Sequence, residues 1–195
     1  MFYLKFLTAV IFIFTFQISF SQTFTKITTG DIVNDASYTE GVYWFDYNND
    51  GYLDLFAANI VNQNNLLFLN NRNSTFTKIT TGAIVTDGGF SYGGCYGDFN
   101  NDGFTDMYVI NGGSSANAVK FLYMNNGNGT FTRTTTGAVV TDLSGAWGTS
   151  TADYDNDGKL DIFVSNFNQN NFLYKGNGDG TFTKITTGNI VSDGG

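Results

Sequence analysis

The sequence predicts an all-β protein made of four-stranded antiparallel blades of the β-propeller type, with three complete blades in an open or incomplete propeller. Three observations predict this fold. A seven-residue phrase returns at intervals of 52, 55 and 51 residues, which indicates a repeat. Each interval contains four short strand-like runs separated by Asn, Gly and Asp. Long runs of helix-forming residues are missing.

The repeated phrase divides the chain into blades. Its copies begin at Phe24, Phe76, Phe131 and Phe182. An Asp follows each of these starts at a fixed distance, at Asp35, Asp87, Asp142 and Asp193. Four strands are predicted in the first repeat, at about 42–46, 52–58, 65–70 and 75–80. The complete blades are placed at about 36–81, 88–136 and 143–187, and an incomplete fourth repeat begins at 188.

The first copy of the phrase has no three strands before it. Phe24 to Thr28 is therefore expected to be an outer strand that, in a closed ring, would complete the last blade. Because propellers close with about four to eight blades, the chain is expected to be a fragment of a larger propeller. Its partners are then the missing C-terminal blades, or other chains at the open edges.

The N-terminus is predicted to be a cleaved signal peptide covering residues 1–21. Lys5 precedes an apolar run that continues to Phe20, and Ser19 and Ser21 form a small-x-small cleavage site. The alternative is an uncleaved anchor, for which the run is short. We therefore expect a secreted or cell-surface protein, with no membrane contact after cleavage.

Composition excludes several classes of function. A net charge of −8 argues against nucleic acid, which needs a basic surface. The chain has no His and a single Cys, so a thiolate zinc site and an intrachain disulfide are excluded. Cys95 is expected to be a small buried residue, and a reactive thiol is the alternative.

Most of the acidic residues are concentrated in three loops. Ten of the 17 acidic residues lie in loop 1 (46–54), loop 2 (98–106) and loop 3 (153–161). The predicted metal ligands occupy positions 1, 3, 5, 7 and 9 of each loop. They are Asp46, Asn48, Asp50, Tyr52 and Asp54, then Asp98, Asn100, Asp102, Phe104 and Asp106, then Asp153, Asp155, Asp157, Lys159 and Asp161.

These positions offer oxygen ligands only. Position 7 would contribute a backbone carbonyl, and the Gly at position 6 allows a sharp turn. Flexible coordination by oxygen suits calcium better than magnesium or zinc. Loop 3 is expected to bind most tightly, because Asp155 replaces the Asn of the other loops. The alternative is a turn without metal, in which the grouped carboxylates would repel one another.

The loops differ from an EF-hand in two ways. Position 12 is Ala57, Val109 or Val164 instead of a bidentate Glu, and the flanks have the pattern of strands instead of helices.

The chain resembles the FG-GAP/VCBS repeats of integrin α chains and of many secreted bacterial proteins. The resemblance lies in residues 148–164 (GTSTADYDNDGKLDIFV) and in the closing hairpin at 171–183 (NFLYKGNGDGTFT). It implies a calcium-stabilised propeller that often serves adhesion or ligand binding. The Gly-Ala-Pro element of the family is absent, and Gly93-Gly94 and Gly145-Ala146 stand near the place of its Phe-Gly element.

Several other residues have two interpretations. Trp44 and Trp147 are expected to pack between blades, with a ligand cage as the alternative. The basic residues at one repeat position are expected to be solvated, with an anionic ligand as the alternative. They are Lys26, Lys78, Arg133 and Lys184.

Three functions compete. The first is a non-catalytic binding or adhesion module for an extracellular protein or glycan. The second is the propeller domain of a secreted hydrolase, which lacks support because the paired carboxylates are already metal ligands and no nucleophile motif is present. The third is a structural spacer. The sequence therefore predicts no enzyme, no catalytic residues and no organic cofactor.

Overall fold

The computed structural model describes residues 23–192 except 114 and 116, and this part of the chain consists mainly of strands. The predicted signal peptide and Asp193 lie outside the described residues. Within them, no helix has the length and apolar character needed to cross a membrane. The elements in chain order are α1 (Asp31–Asn34), β1 (Thr39–Phe45), β2 (Asp54–Asn59), β3 (Leu66–Asn70), β4 (Phe76–Ile79), α2 (Ala83–Thr86), β5 (Ser91–Gly97), β6 (Asp106–Asn111), β7 (Phe121–Asn125), β8 (Phe131–Thr134), α3 (Ala138–Thr141), β9 (Ala146–Ala152), β10 (Asp161–Asn166), β11 (Phe172–Gly176), β12 (Phe182–Ile185) and α4 (Asn189–Ser192).

The strands form three separate four-stranded sheets. Each sheet is an antiparallel meander in which strands pair in sequence order, β1 to β4, β5 to β8 and β9 to β12. Short connections rich in Asn and Gly permit this order, because antiparallel neighbours need only a tight turn between them. The predicted all-β fold of incomplete propeller blades is confirmed.

The core lies between consecutive sheets. Side chains alternate across a strand, so a central strand can serve two interfaces at once. On β6, Met107 and Val109 belong to the apolar cluster shared with the first sheet. Tyr108 and Ile110, on the other face of the same strand, belong to the cluster shared with the third sheet. The nearly continuous apolar sequence of β6 follows from this double burial.

The outer strand expected at the first copy of the phrase in a closed ring is not formed in this chain. Residues 23–28 form no strand, and Phe24 is 90% exposed. In later copies the same Phe begins a strand that pairs with the one before it, as Phe76 does opposite Asn70. A strand needs such a neighbour for its backbone hydrogen bonds, and in the described part of the chain residues 23–28 have none.

A single helical turn follows every copy of the phrase, and the sequence analysis did not predict it. The turn begins after a Gly with a positive φ, for example 99° at Gly82 and 93° at Gly137. Ile84 and Val85 of α2 are buried in the interface between the first two sheets, and Val139 and Val140 of α3 occupy the next interface. The two consecutive apolar residues that follow the Gly of each phrase are a sequence signal that could have identified the turn.

The basic residues on the fourth strands are only partly solvated, because each is ion-paired while 31–34% of its side chain stays exposed. Arg133 pairs with Asp87 at 3.0 Å, and Lys184 pairs with Asp142 at 2.7 Å. Lys78 makes the equivalent ion pair with Asp35. The interpretation missed the ion pairs of these three residues because the Asp that precedes each blade returns to its last strand.

Two tyrosines extend these ion pairs into the core. The Tyr123 hydroxyl donates to Asp87 at 3.1 Å, and the Tyr174 hydroxyl donates to Asp142 at 3.0 Å. The first sheet has Phe68 at this place in the strand, so Asp35 has no buried hydroxyl to accept from. Repeats that are otherwise alike therefore differ in how much their Asp contributes to the core.

One lysine is buried between the second and third sheets. Lys120 is 1% exposed, and its ammonium donates to the carbonyl oxygens of Ala118 and Ser144 at 3.0 Å and of Asp142 at 3.3 Å. The Ser144 hydroxyl is a further partner. Burial lowers the pKa of Lys120 to about 8. The ammonium thus links the start of β7 to the segment that leads into the third sheet.

Candidate metal centres

The three acidic loops occupy the same place in every sheet. Each connects the first strand to the second, so that position 9 is the first residue of β2, β6 or β10. Position 4 is an Asn with φ of 58° in all three loops, and the Gly at position 6 has φ of 85°, 89° and 83°. These residue types tolerate the left-handed conformation at low cost. The sharp turn that the sequence predicted at position 6 is therefore present.

The carboxylate at position 1 folds back over its own loop. Asp46 accepts the backbone N–H groups of Asp50 at 3.0 Å and Gly51 at 2.7 Å. Asp98 and Asp153 repeat the same two contacts in loops 2 and 3. Backbone donors thereby fix the direction of this carboxylate and hold the loop in a closed turn.

The carboxylate at position 9 is buried and ties the loop to the sheet. Asp106 is 0% exposed and accepts the backbone N–H groups of Phe99 at 2.9 Å and Asn125 at 2.8 Å. Asp54 and Asp161 accept the corresponding pairs in the other two sheets. Burial raises the pKa of Asp54 and of Asp106 to about 6, against the lowering effect of these backbone donors.

Positions 3 and 5 contact each other in loops 1 and 2. In loop 2, the Asn100 side-chain amide donates to Asp102 at 2.8 Å, and Asp102 accepts the N–H of Phe104 at 2.9 Å. Loop 1 repeats this arrangement with Asn48, Asp50 and Tyr52. The residue at position 7 thus donates its N–H within the loop, and calcium binding by its carbonyl stays a prediction.

Loop 3 brings three of its predicted ligands together. One oxygen from each of Asp153, Asp155 and Asp161 lies within 4.8 Å of the other two. In the described part of the chain, this is the only such cluster of three or more His, Cys, Asp or Glu side chains. Loops 1 and 2 have Asn at position 3 and so supply one carboxylate fewer.

Two basic residues that the sequence analysis did not consider reach into these loops. Arg72 contacts Asp50 of loop 1 at 2.8 Å. Lys175 contacts Asp157 of loop 3 at 3.1 Å and also pairs with Asp155. Lys159, whose carbonyl was the predicted ligand, places its ammonium 3.7 Å from Asp157. The oxygen-only donor set fits calcium, and a cationic side chain already lies among these oxygens in loop 3.

The loops also contact the neighbouring blade. The Asn125 side chain in the second sheet donates to the carbonyl of Tyr47 in loop 1 at 2.7 Å. Gly180 in the third sheet donates its N–H to the Phe99 carbonyl of loop 2 at 3.1 Å. The conformation of a loop is therefore linked to the packing of the next sheet.

The other residues singled out from the sequence lie away from the carboxylates. Cys95 is buried, and burial raises its pKa to about 12. Trp147 stacks on Tyr92 of the preceding sheet with ring centroids 5.9 Å apart, as expected for packing between blades. Trp44 instead contacts Phe76 of its own sheet at 6.0 Å.

Comparison with known families gives one result for this chain. A family model described as an FG-GAP-like repeat matches residues 46–109, 98–164 and 153–195. Each match begins at the first Asp of one acidic loop, and together they span 46–195. A comparison with curated proteins finds no match.

Proposed function

Because the chain belongs to the FG-GAP-like repeat family, we propose that it is a secreted or cell-surface module that binds one calcium ion in each of its three acidic loops. The observation that carries this proposal is the threefold repetition of one loop geometry. In every loop, backbone N–H groups orient the carboxylates at positions 1 and 9. In loop 3 the turn also brings an oxygen of Asp155 within 4.8 Å of oxygens of Asp153 and Asp161, and a hard cation requires oxygens grouped in this way.

Calcium binding is proposed to stabilise the blades. A ligand that binds only the folded state raises stability with its concentration. Loops 1 and 2 also contact the next sheet, so ordering either of them strengthens an interface between blades. We expect the dissociation constants of extracellular modules, about 10⁻⁴–10⁻³ M.

The role of the module is proposed to be non-catalytic binding of an extracellular protein or glycan. Three near-identical acidic sites are unlike a catalytic centre, which is normally a single asymmetric constellation. Screening of glycan and protein arrays, with calcium and with chelator, tests this role. Calcium-dependent capture supports a binding module, whereas an array without signal under both conditions favours a spacer.

The experiment for calcium is a melting series on the full chain. Asp102→Asn keeps an oxygen that accepts the Phe104 N–H but removes the charge at position 5 of loop 2. It should reduce the rise in melting temperature that calcium causes and leave the melting temperature in chelator nearly unchanged. The matched control is Asp179→Asn, which makes the same charge change in a hairpin where the other repeats have Asn73 and Asn128.

Calorimetry provides the direct measurement. Calcium uptake should be saturable, with a stoichiometry that falls by one in Asp102→Asn and stays unchanged in Asp179→Asn. A chain that takes up no calcium, or a variant that loses equal stability in calcium and in chelator, would show that the loops are turns without metal.

A further inference from the structure

Loop 3 contains a positive charge supplied by the protein itself. Lys175 lies on β11, and its ammonium pairs with Asp155 at position 3 and lies 3.1 Å from Asp157 at position 5. The Lys159 ammonium is 3.7 Å from the same Asp157. These carboxylates are two of the predicted calcium ligands, so a cation and an ammonium group require the same oxygens.

The other repeats show that a lysine is not needed at this place. Leu69 on β3 and Met124 on β7 occupy the corresponding position, and both pack against the apolar clusters. In the described part of the chain, no Lys or Arg forms an ion pair with a carboxylate of loop 2. Among the three loops, loop 2 is therefore the one whose carboxylates are not ion-paired with a basic side chain in the described part of the chain.

Loop 1 is intermediate between the other two. Arg72 lies 2.8 Å from Asp50 and stacks over the Tyr52 ring at 4.7 Å, but it reaches only one carboxylate. Its φ is 64°, a left-handed conformation that the other two hairpins give to Gly127 and Gly178. An Arg in a place that favours Gly indicates that its side-chain contacts offset backbone strain.

We propose that Lys175 is an internal counter-ion that competes with calcium in loop 3, an inference that rests on the calcium binding proposed above. Calcium must displace the ammonium from Asp155 and Asp157, and the displaced charge stays tethered nearby and repels the ion. Arg72 acts in the same way, more weakly, in loop 1. The loops then fill in the order 2, 1, 3, which reverses the order expected from Asp155 alone.

The size of the effect follows from the number of pairs that are broken. Each partly exposed ion pair contributes little free energy, but calcium has to break the two pairs that Lys175 makes. The double charge of calcium also doubles its repulsion from the displaced ammonium, compared with a singly charged ion. Removing the ammonium should tighten calcium binding at loop 3 by about tenfold. Removing Arg72 should tighten loop 1 by about threefold, because only one pair is broken.

The test is calorimetric titration of the full chain with calcium chloride, in a background that isolates loop 3. Asp50→Asn and Asp102→Asn together remove the charge at position 5 of loops 1 and 2. Lys175→Met introduces the residue that β7 has at this position, and Lys175→Gln is a second variant of similar length. Lys26→Met is the control, since it changes the net charge equally at an exposed residue outside the three loops.

Both Lys175 variants should bind calcium about tenfold more tightly at loop 3, and Lys26→Met should leave the affinity within about twofold. If the Lys175 variants bind calcium at loop 3 no more tightly than Lys26→Met does, the inference is overturned and the proposed function stays intact. A parent chain in which loop 3 binds more tightly than an isolated loop 2 would also overturn it. If no loop binds calcium in any variant, the proposed function fails and this inference fails with it.

Discussion

The aspartates that precede the blades offer a matched test of how this fold is stabilised. Asp87 pairs with Arg133 at 3.0 Å and also accepts the hydroxyl of Tyr123, which is fully buried. Asp35 makes the equivalent ion pair with Lys78, but Phe68 replaces the tyrosine. Replacing each Asp with Ala therefore removes one ion pair in both cases. It also releases the partly exposed Ser37 hydroxyl in one case and the fully buried Tyr123 hydroxyl in the other.

The expected magnitudes follow from these contacts. A partly exposed ion pair contributes about 0.2–1 kcal/mol, which is the expected cost of Asp35→Ala. A buried hydroxyl left without a partner costs about 1–3 kcal/mol more, so Asp87→Ala should lose about 1–4 kcal/mol in total. At about 2–4 °C per kcal/mol for a chain of this size, the melting temperature should fall by about 2–16 °C for Asp87→Ala. Asp35→Ala should lower it by about 1–4 °C.

The assay is urea and thermal unfolding of both variants in chelator, so that calcium does not contribute to stability. Asp87→Asn is the internal control, since its side-chain oxygen still accepts the tyrosine hydroxyl while the charge is lost. Its loss of unfolding free energy should equal that of Asp35→Ala. Equal losses for Asp35→Ala and Asp87→Ala would refute the argument that the tyrosine hydroxyl decides the difference.

Three further predictions concern single side chains. Hydrogen bonds from Lys78 and Ser37 lower the pKa of Asp35, so the stability that Asp35 contributes is complete above the unfolded carboxyl pKa of about 3.9 and is lost as pH falls through the folded value. The gap in unfolding free energy between parent and Asp35→Ala should close in acid, and a constant gap would contradict this. Burial of Cys95 should prevent its reaction with a disulfide reagent at neutral pH until the chain is unfolded, and rapid labelling of the folded chain would show otherwise. Lys120→Met should cost about 2–3 kcal/mol in urea unfolding, because one buried and two partly buried carbonyl oxygens lose their donor, and a neutral result would mean that water replaces the ammonium.

The acidic loops were predictable because their geometry is local. Nine residues with Asp at positions 1, 5 and 9 and Gly at position 6 contain both the turn and the side chains that close it. Their hydrogen bonds join residues four or five positions apart, as between Asp98 and the N–H groups of Asp102 and Gly103. The strands were predictable for the same reason, because alternation and turn residues are properties of short segments.

Contacts between distant segments were not predictable in this way. The fixed distance from each repeated phrase to the following Asp was visible, but the partner of Asp87 is Arg133, 46 residues later. Which strand it reaches depends on sheet order and register. The outer strand expected at Phe24 is not formed for a related reason, because strand formation depends on a neighbour that supplies hydrogen bonds.

The sequence by itself determined the repeat, the strand pattern and the candidate ligands, since each of these is encoded within a few consecutive residues. Only the tertiary structure decided the electrostatic surroundings of each loop. Lys175 lies 20 residues from Asp155 along the chain, and the hairpin between β10 and β11 brings the two together. Charges act through space at distances set by folding, so three loops that are nearly identical in sequence differ in the cations that reach them.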